Sequence, residues 1–183
     1  RGPAGFLVEH GTFKLLIDGG SGTLQKLAKI QINPLKLSAG LYTHWHPDHC
    51  GDLVPLLFAM HGIPGRTADY DIYAGTGFAD FFSRLQNAYG RWIQLRSGSV
   101  NVHEIPTEYV STFQLGPFHI TTAAAQHMRG SLHVRVEYRG VTCVFSGDTG
   151  PSDNLVALSE GADLLVCECG GSNHDPIPGH LTP

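Results

Sequence analysis

A chain of 183 residues with 42% hydrophobic and 15% charged residues is long enough to bury a sizeable core, and residues 1–183 read as one globular domain. The formal charge is −4 and the 12 Lys and Arg are spread along the sequence, which gives no footprint for a long polyanion. No apolar run reaches the roughly 20 residues of a membrane span. The opening Arg1-Gly2-Pro3-Ala4-Gly5 has no apolar h-region, so a cytoplasmic location is the default expectation. Cysteines at 50, 143, 167 and 169 have no disulfide spacing and are expected as reduced, buried thiols.

Phe6 to Glu9 and Phe13 to Ile17 are short apolar runs around His10-Gly11-Thr12, a hairpin pattern. Asp18-Gly19-Gly20-Ser21-Gly22 interrupts the strands, and Leu24, Leu27 and Ala28 mark one face of a short helix for which Ser21 or Thr23 is the expected cap. Ala39 to Thr43 is strand-like. After it, Leu53, Val54, Leu56, Leu57 and Met60 keep helical spacing, with Pro55 tolerated in the first turn. Asp71 to Ala74 predicts a strand, and Phe78, Phe81, Phe82, Leu85 and Tyr89 predict the core face of a helix. Trp92 and the loop 93–98 stand where a cleft border is expected. The remainder is β in texture: Val102 to Ile105, Val110 to Leu115, Phe118 to Ala124, Leu132 to Tyr138 and Val141 to Phe145, with Arg139-Gly140 as a tight turn. Asp163 to Cys169 then predicts a buried strand.

Chemistry concentrates in Thr43-His44-Trp45-His46-Pro47-Asp48-His49-Cys50-Gly51-Asp52. If the strand continues through His44 and His46, its period of two points both imidazoles the same way. Pro47 cannot extend a paired strand, so the chain turns and Asp48 and His49 return from another direction, where a second metal position is an expectation. Structural zinc sites usually carry C-x-x-C pairs, absent here; an N/O-rich set indicates a catalytic metal with an open position.

His-x-His-x-Asp-His after a strand and before a glycine resembles the signature of the metallo-β-lactamase-fold superfamily. The resemblance runs from about Phe6 to Thr182 and implies an α+β fold, a four-layer αββα sandwich. It implies two adjacent metals, with His44 and His46 at the first and Asp48 and His49 at the second. Flavodiiron relatives usually place Glu where His46 stands, so zinc is expected, with Mn2+ or Fe2+ as substitutes. Asp18 matches an aspartate thought to orient a ligand histidine; a plain turn aspartate is the alternative reading. His127, after Ala124-Ala125-Gln126, matches the third histidine. Asp148 in Ser146-Gly147-Asp148-Thr149 matches a bridging aspartate, where a β-lactamase carries a cysteine that bridges nothing. That difference points to a phosphodiesterase-type or glyoxalase-type site.

Glu168 and His180, in Gly179-His180-Leu181-Thr182, resemble the ribonuclease Z branch, where a strand-end glutamate orients a histidine taken to protonate the leaving oxygen. A loop histidine is the alternative for His180. Two departures stand out. His127 and Asp148 are only 21 positions apart, so the arm with which ribonuclease Z grips transfer RNA has no room. The family's glycine-rich strand before Phe6 and its final metal histidine beyond His180 also lie outside these residues, so the fold is expected to be incomplete at both ends.

The implied function is a dinuclear zinc hydrolase, most simply a phosphodiesterase acting on a small phosphoester or an RNA end. Two zinc ions roughly 3.5–4 Å apart would lower the pKa of a water between them toward about 7, giving hydroxide as nucleophile. Asp48 would bind metal and steer that water, and the Glu168–His180 pair would be the general acid. A thioester, lactone or sulfate-ester hydrolase is the enzymatic alternative, and a scaffold that retains metal for structure the non-enzymatic one. A homodimer is expected only by analogy with relatives.

Overall fold

The first hairpin shows how local chemistry sets the frame. In the computed structural model, which describes residues 2–62 and 68–183, β1 (Phe6–His10) and β2 (Phe13–Ile17) pair antiparallel with His10 opposite Phe13. The two-residue loop between them is closed by Gly11 at φ 58°, a conformation that costs glycine little. The chain divides into two compact units, residues 1–104 and 105–183, described in turn.

In the first unit β2 pairs parallel with β3 (Ala39–Tyr42), and β3 parallel with β4 (Tyr70–Gly75). The sheet order is β1-β2-β3-β4-β5, with β5 running Val100–Ile105. All four β3 residues are buried, as expected of an interior strand covered on both faces. Helices α1 (Thr23–Lys29), α2 (Pro47–Cys50), α3 (Leu53–Gly62) and α4 (Phe78–Tyr89) join the strands. Leu53, Leu56, Leu57 and Met60 of α3 pack in one core cluster with Tyr42, Ile72, Phe78 and Phe82.

Two expectations for this unit need correction. Neither Ser21 nor Thr23 caps α1; its N-cap is Gly22 in the left-handed region, and the Leu24 N–H donates instead to the Asp52 carboxylate at 2.8 Å. Tyr89 keeps the helical phase of the aromatic stripe but stays 47% exposed, because α4 extends past the core edge there and Ile93, 1% exposed, fills the core after the chain turns back.

The second unit holds a sheet of order β10-β9-β8-β7-β6, from β6 (Ser111–Leu115), β7 (Phe118–Ala124), β8 (Leu132–Tyr138), β9 (Val141–Phe145) and β10 (Leu164–Val166). All its pairings are antiparallel except β9–β10. Arg139 (φ 49°) and Gly140 (φ 82°) make the predicted tight turn between β8 and β9. Helix α5 (Asp153–Ser159) packs Leu155 and Leu158 on Ala123 and Val144. The predicted buried strand over Asp163 to Cys169 shrinks to three residues at the sheet edge, with Leu164 52% and Leu165 43% exposed. An edge strand is paired on one side only, and an apolar run reads alike at edge and centre.

All four cysteines are free thiols, but only Cys50 is buried; Cys167, just past the short edge strand, is exposed, which corrects the expectation of buried thiols. No helix among the described residues is long and apolar enough to cross a membrane.

Candidate functional site

Regular pairing of β3 ends at Tyr42, yet the next residues keep their donors close. His44 Nε2 lies 3.1 Å from His46 Nδ1. Two nitrogens sharing one tetrahedral zinc at about 2.1 Å would sit about 3.4 Å apart, so the spacing suits a common cation. Thr43 Oγ1, which donates to Asp18, lies 3.3 Å from His44 Nδ1; that nitrogen is then the donor and Nε2 the acceptor, the tautomer a ligand needs. Trp45, between the two histidines, packs on Phe78 and Phe81 with ring centroids 5.9 and 6.1 Å away, which anchors the turn.

Asp48 and His49 follow on the one-turn helix α2, for which Pro47 presets φ. His49 Nδ1 is 2.8 Å from Asp18 Oδ2, and His49 Nε2 is 3.8 Å from Asp48 Oδ2. Asp18 therefore holds the ring from behind and turns Nε2 toward Asp48. The Asp18 carboxylate also accepts from the Thr43 amide at 2.8 Å and the Thr43 hydroxyl at 2.9 Å. It sits at φ 56° and is 1% exposed. Burial pushes its carboxyl above the usual range, while the hydrogen bonds from His49 and Thr43 pull it back. Of the two readings of Asp18, orienting a histidine is the one its contacts match.

Backbone contacts fix the loop. Gly19 N donates to His49 O at 2.6 Å, Asp52 N to Gly19 O at 2.8 Å and Ala4 N to Asp48 O at 2.9 Å. A Cβ on Gly20 would fall 1.8 Å from the Asp48 carbonyl oxygen, so only glycine permits this approach. Cys50 is not a ligand candidate: burial, then the charges of Asp18 and Asp48, push its thiol up to about 12, and its Sγ contacts Trp45 O at 3.2 Å.

In the second unit the donors come from three loops. His127 Nδ1 lies 3.0 Å from the Gly179 carbonyl oxygen, to which it donates, which makes Nε2 the acceptor. His127, Asp148 and His180 each offer a ligand atom, all within 4.8 Å of one another. His180 Nδ1, however, is 3.0 Å from Glu168 Oε1 and 3.8 Å from Asp148 Oδ2, so Glu168 is its closer partner. The Glu168 carboxylate also accepts from Thr149 N and Leu181 N at 3.1 Å each and from Gly170 N. One carboxylate thus ties the Asp148 loop to the His180 loop. A Cβ on Gly170 would collide with the His180 ring, which explains that glycine.

Trp92, expected at a cleft border, is 46% exposed and its ring packs edge-on against Phe58 and His61. Sequence reasoning missed Thr43, which locks Asp18 and the imidazoles, and Ser146, whose Oγ accepts the Glu168 amide at 2.9 Å. Neither has a spacing signal; both act through contacts between distant segments.

Two mixed sheets with helices, a His-x-His-x-Asp-His turn at a strand end and a carboxylate-held histidine define a class. Residues 3–181 match the metallo-β-lactamase superfamily, and the chain belongs to it. Within that class the chain is similar to ribonuclease Z of Mycobacterium bovis, at 30% identity over 171 residues that cover 87% of this chain and 61% of that protein. It is also similar to the probable metallo-hydrolase YhfI of Bacillus subtilis, at 28% identity, covering 91% and 64%. The YhfI crystal structure superposes with a TM-score of 0.82 at 27% identity, covering 100% of this chain and 70% of that one. Human short-form tRNase Z gives 0.78 at 22%, covering 100% and 79%, which speaks to the fold alone. The chain spans about three-fifths of the length of the curated relatives it matches.

Proposed function

We propose that residues 1–183 act as a single metal-dependent hydrolase domain that cleaves a phosphodiester, a small phosphoester or an RNA end, with His44, His46, Asp48, His49, His127 and Asp148 holding two zinc ions. The observation that carries this reading is the Glu168–His180 contact of 3.0 Å. An alkoxide leaving group needs a proton, and a histidine held by a partly buried carboxylate supplies one. The donor set fits a divalent cation of the zinc type: imidazole and carboxylate, with His44 and His46 spaced for one ion and His49 Nε2 facing Asp48. When bound, such a pair supplies an activated water and electrostatic stabilisation of the charge that develops on the ester oxygens.

The chain's own residues divide the remaining work. Asp48, exposed at the end of its loop, orients the attacking water and accepts its proton. Asp18 and Thr43 hold His49 and His44 in their ligand tautomers. Glu168 fixes Nδ1 of His180 and stabilises the imidazolium, so that Nε2 carries the proton given to the leaving oxygen. With 20 residues between His127 and Asp148, no transfer-RNA arm of the ribonuclease Z kind is inserted there, which favours a small substrate.

Turnover of bis-p-nitrophenyl phosphate by zinc-loaded protein, abolished by a chelator and restored by zinc, is the expected result. A fully loaded protein inert toward phosphodiesters but active on thioesters, lactones or sulfate esters would move the assignment to that alternative. Bound zinc with no turnover of any ester would leave the scaffold reading.

A further inference from the structure

His133 lies on β8 opposite Ala123 of β7, is 0% exposed, and takes no part in the chemistry above. Its two ring nitrogens reach the two ends of one loop. Nδ1 is 2.6 Å from the Ser146 carbonyl oxygen, and Nε2 is 2.9 Å from Ser152 Oγ. Between these anchors run Gly147, Asp148, Thr149, Gly150 and Pro151. A carbonyl oxygen only accepts, so Nδ1 carries the proton and Nε2 of the neutral ring accepts from the Ser152 hydroxyl. The same Ser152 oxygen accepts from Leu155 N at 3.3 Å and caps α5. Burial lowers the pKa of His133, although its bond to the Ser146 carbonyl pulls the other way, so the neutral form is favoured.

The anchors are coupled to the remaining donors of this unit. Ser146 Oγ accepts the Glu168 amide at 2.9 Å and donates to Gly147 O at 2.7 Å. The loop carrying His127 closes onto the start of the same strand, where Ala125 N donates to Ser131 O at 2.9 Å, two residues before His133. An imidazole offers one donor and one acceptor in a rigid ring, which two separate loop ends can share; an aliphatic residue of similar volume offers neither.

We propose that His133 is a positioning residue, a neutral imidazole that pins both ends of the Asp148 loop and so sets the Asp148 carboxylate and the approach of Glu168 to His180. This rests on the metal-hydrolase reading. The clamp is tested with His133→Leu, His133→Asn, which keeps a donor for the Ser146 carbonyl, and Ser152→Ala, which removes one anchor at a partly exposed site. Each is followed by thermal melting, zinc uptake of the metal-free protein, and kcat and KM for bis-p-nitrophenyl phosphate. H133L is expected to bind zinc about tenfold more weakly and to lower kcat with KM little changed; H133N recovers part of both, and S152A shifts both in the same direction by less. A cooperatively melting H133L with wild-type zinc uptake and kcat overturns the proposal. If H133L does not fold, S152A decides, and wild-type values for it overturn the clamp.

Imidazole nitrogen chemical shifts of the metal-free wild type separate this proposal from the reading it rests on. A neutral ring protonated at Nδ1 supports the clamp even if zinc uptake fails, whereas a ring protonated at Nε2 rejects it even in an active enzyme.

Discussion

The two units build their donors in opposite ways. In the first, His44, His46, Asp48 and His49 fall within six consecutive residues, and backbone bonds from Gly19, Asp52 and Ala4 hold the turn that bears them. In the second, His127, Asp148 and His180 come from three loops; Glu168, with four contacts, ties the Asp148 loop to the His180 loop, and the Gly179 carbonyl holds His127. A local motif survives the loss of any one side chain as a shape, because covalent connection does most of the placing. A convergent cluster does not. Damage to support should therefore be graded in the first unit and steep in the second.

The largest effect is expected from Asp48→Ala. The carboxylate is exposed and makes few fold contacts, so melting should stay within about 0.5 kcal/mol of wild type. Turnover should fall at least about 10³-fold as both a donor and a proton acceptor are lost. An unchanged rate at full metal loading would remove Asp48 from the chemistry.

Glu168→Ala should come next and should damage structure as well as rate. Three backbone N–H groups lose their acceptor, so destabilisation of about 2 kcal/mol or more is expected by denaturant melting. The rate on an alkoxide-leaving phosphodiester should drop about 10²-fold, and on a p-nitrophenolate ester much less, since that leaving group needs little protonation. Equal losses on both substrates would argue against a proton-donating His180.

Asp18→Ala removes support from the first unit, where Thr43 and the backbone still hold the turn. Zinc titration of the metal-free protein should show affinity reduced about 10- to 100-fold with the fold retained. Global unfolding of this variant, with E168A still folded, would invert the contrast between the units.

The smallest effect concerns pH. His133 has its folded pKa lowered by burial, so below about 6.5 the unfolded chain binds a proton that the folded chain resists. Its contribution to stability is complete above about 6.5 and is lost as the pH falls from there toward the lowered folded value. Urea midpoints measured on the metal-free protein should decline there, and H133L should flatten the decline; equal slopes would show that another group titrates.

How much of this was legible in the sequence follows the same divide. His44, His46, Asp48 and His49 announce themselves because four donors crowd into six residues around a proline turn, although the paired strand ends at Tyr42 and the strand period expected to carry both imidazoles does not reach them. The hairpins at Gly11 and Arg139-Gly140 read correctly for the same local reason. Glu168 and His180 were visible only through family resemblance, since the 11 residues between them carry no periodic signal. Thr43, Asp52 and His133 went unread because their roles are long-range hydrogen bonds: Asp52 caps a helix 28 residues upstream in place of Ser21 or Thr23. The over-long strand at Asp163 to Cys169 and the supposedly buried Tyr89 share one cause. Apolar character was legible, but the boundary of the core was not, because that depends on which neighbours a strand edge or helix end meets.

The central claim is that six side chains hold two zinc ions in a hydrolytic centre. Anomalous diffraction at the zinc edge from zinc-loaded crystals tests it directly. Two peaks are predicted, one ligated by His44 and His46, the other by Asp48 and His49, with His127 and Asp148 completing the set. No peak at these residues, or zinc bound elsewhere while His127 and Asp148 coordinate nothing, would contradict it.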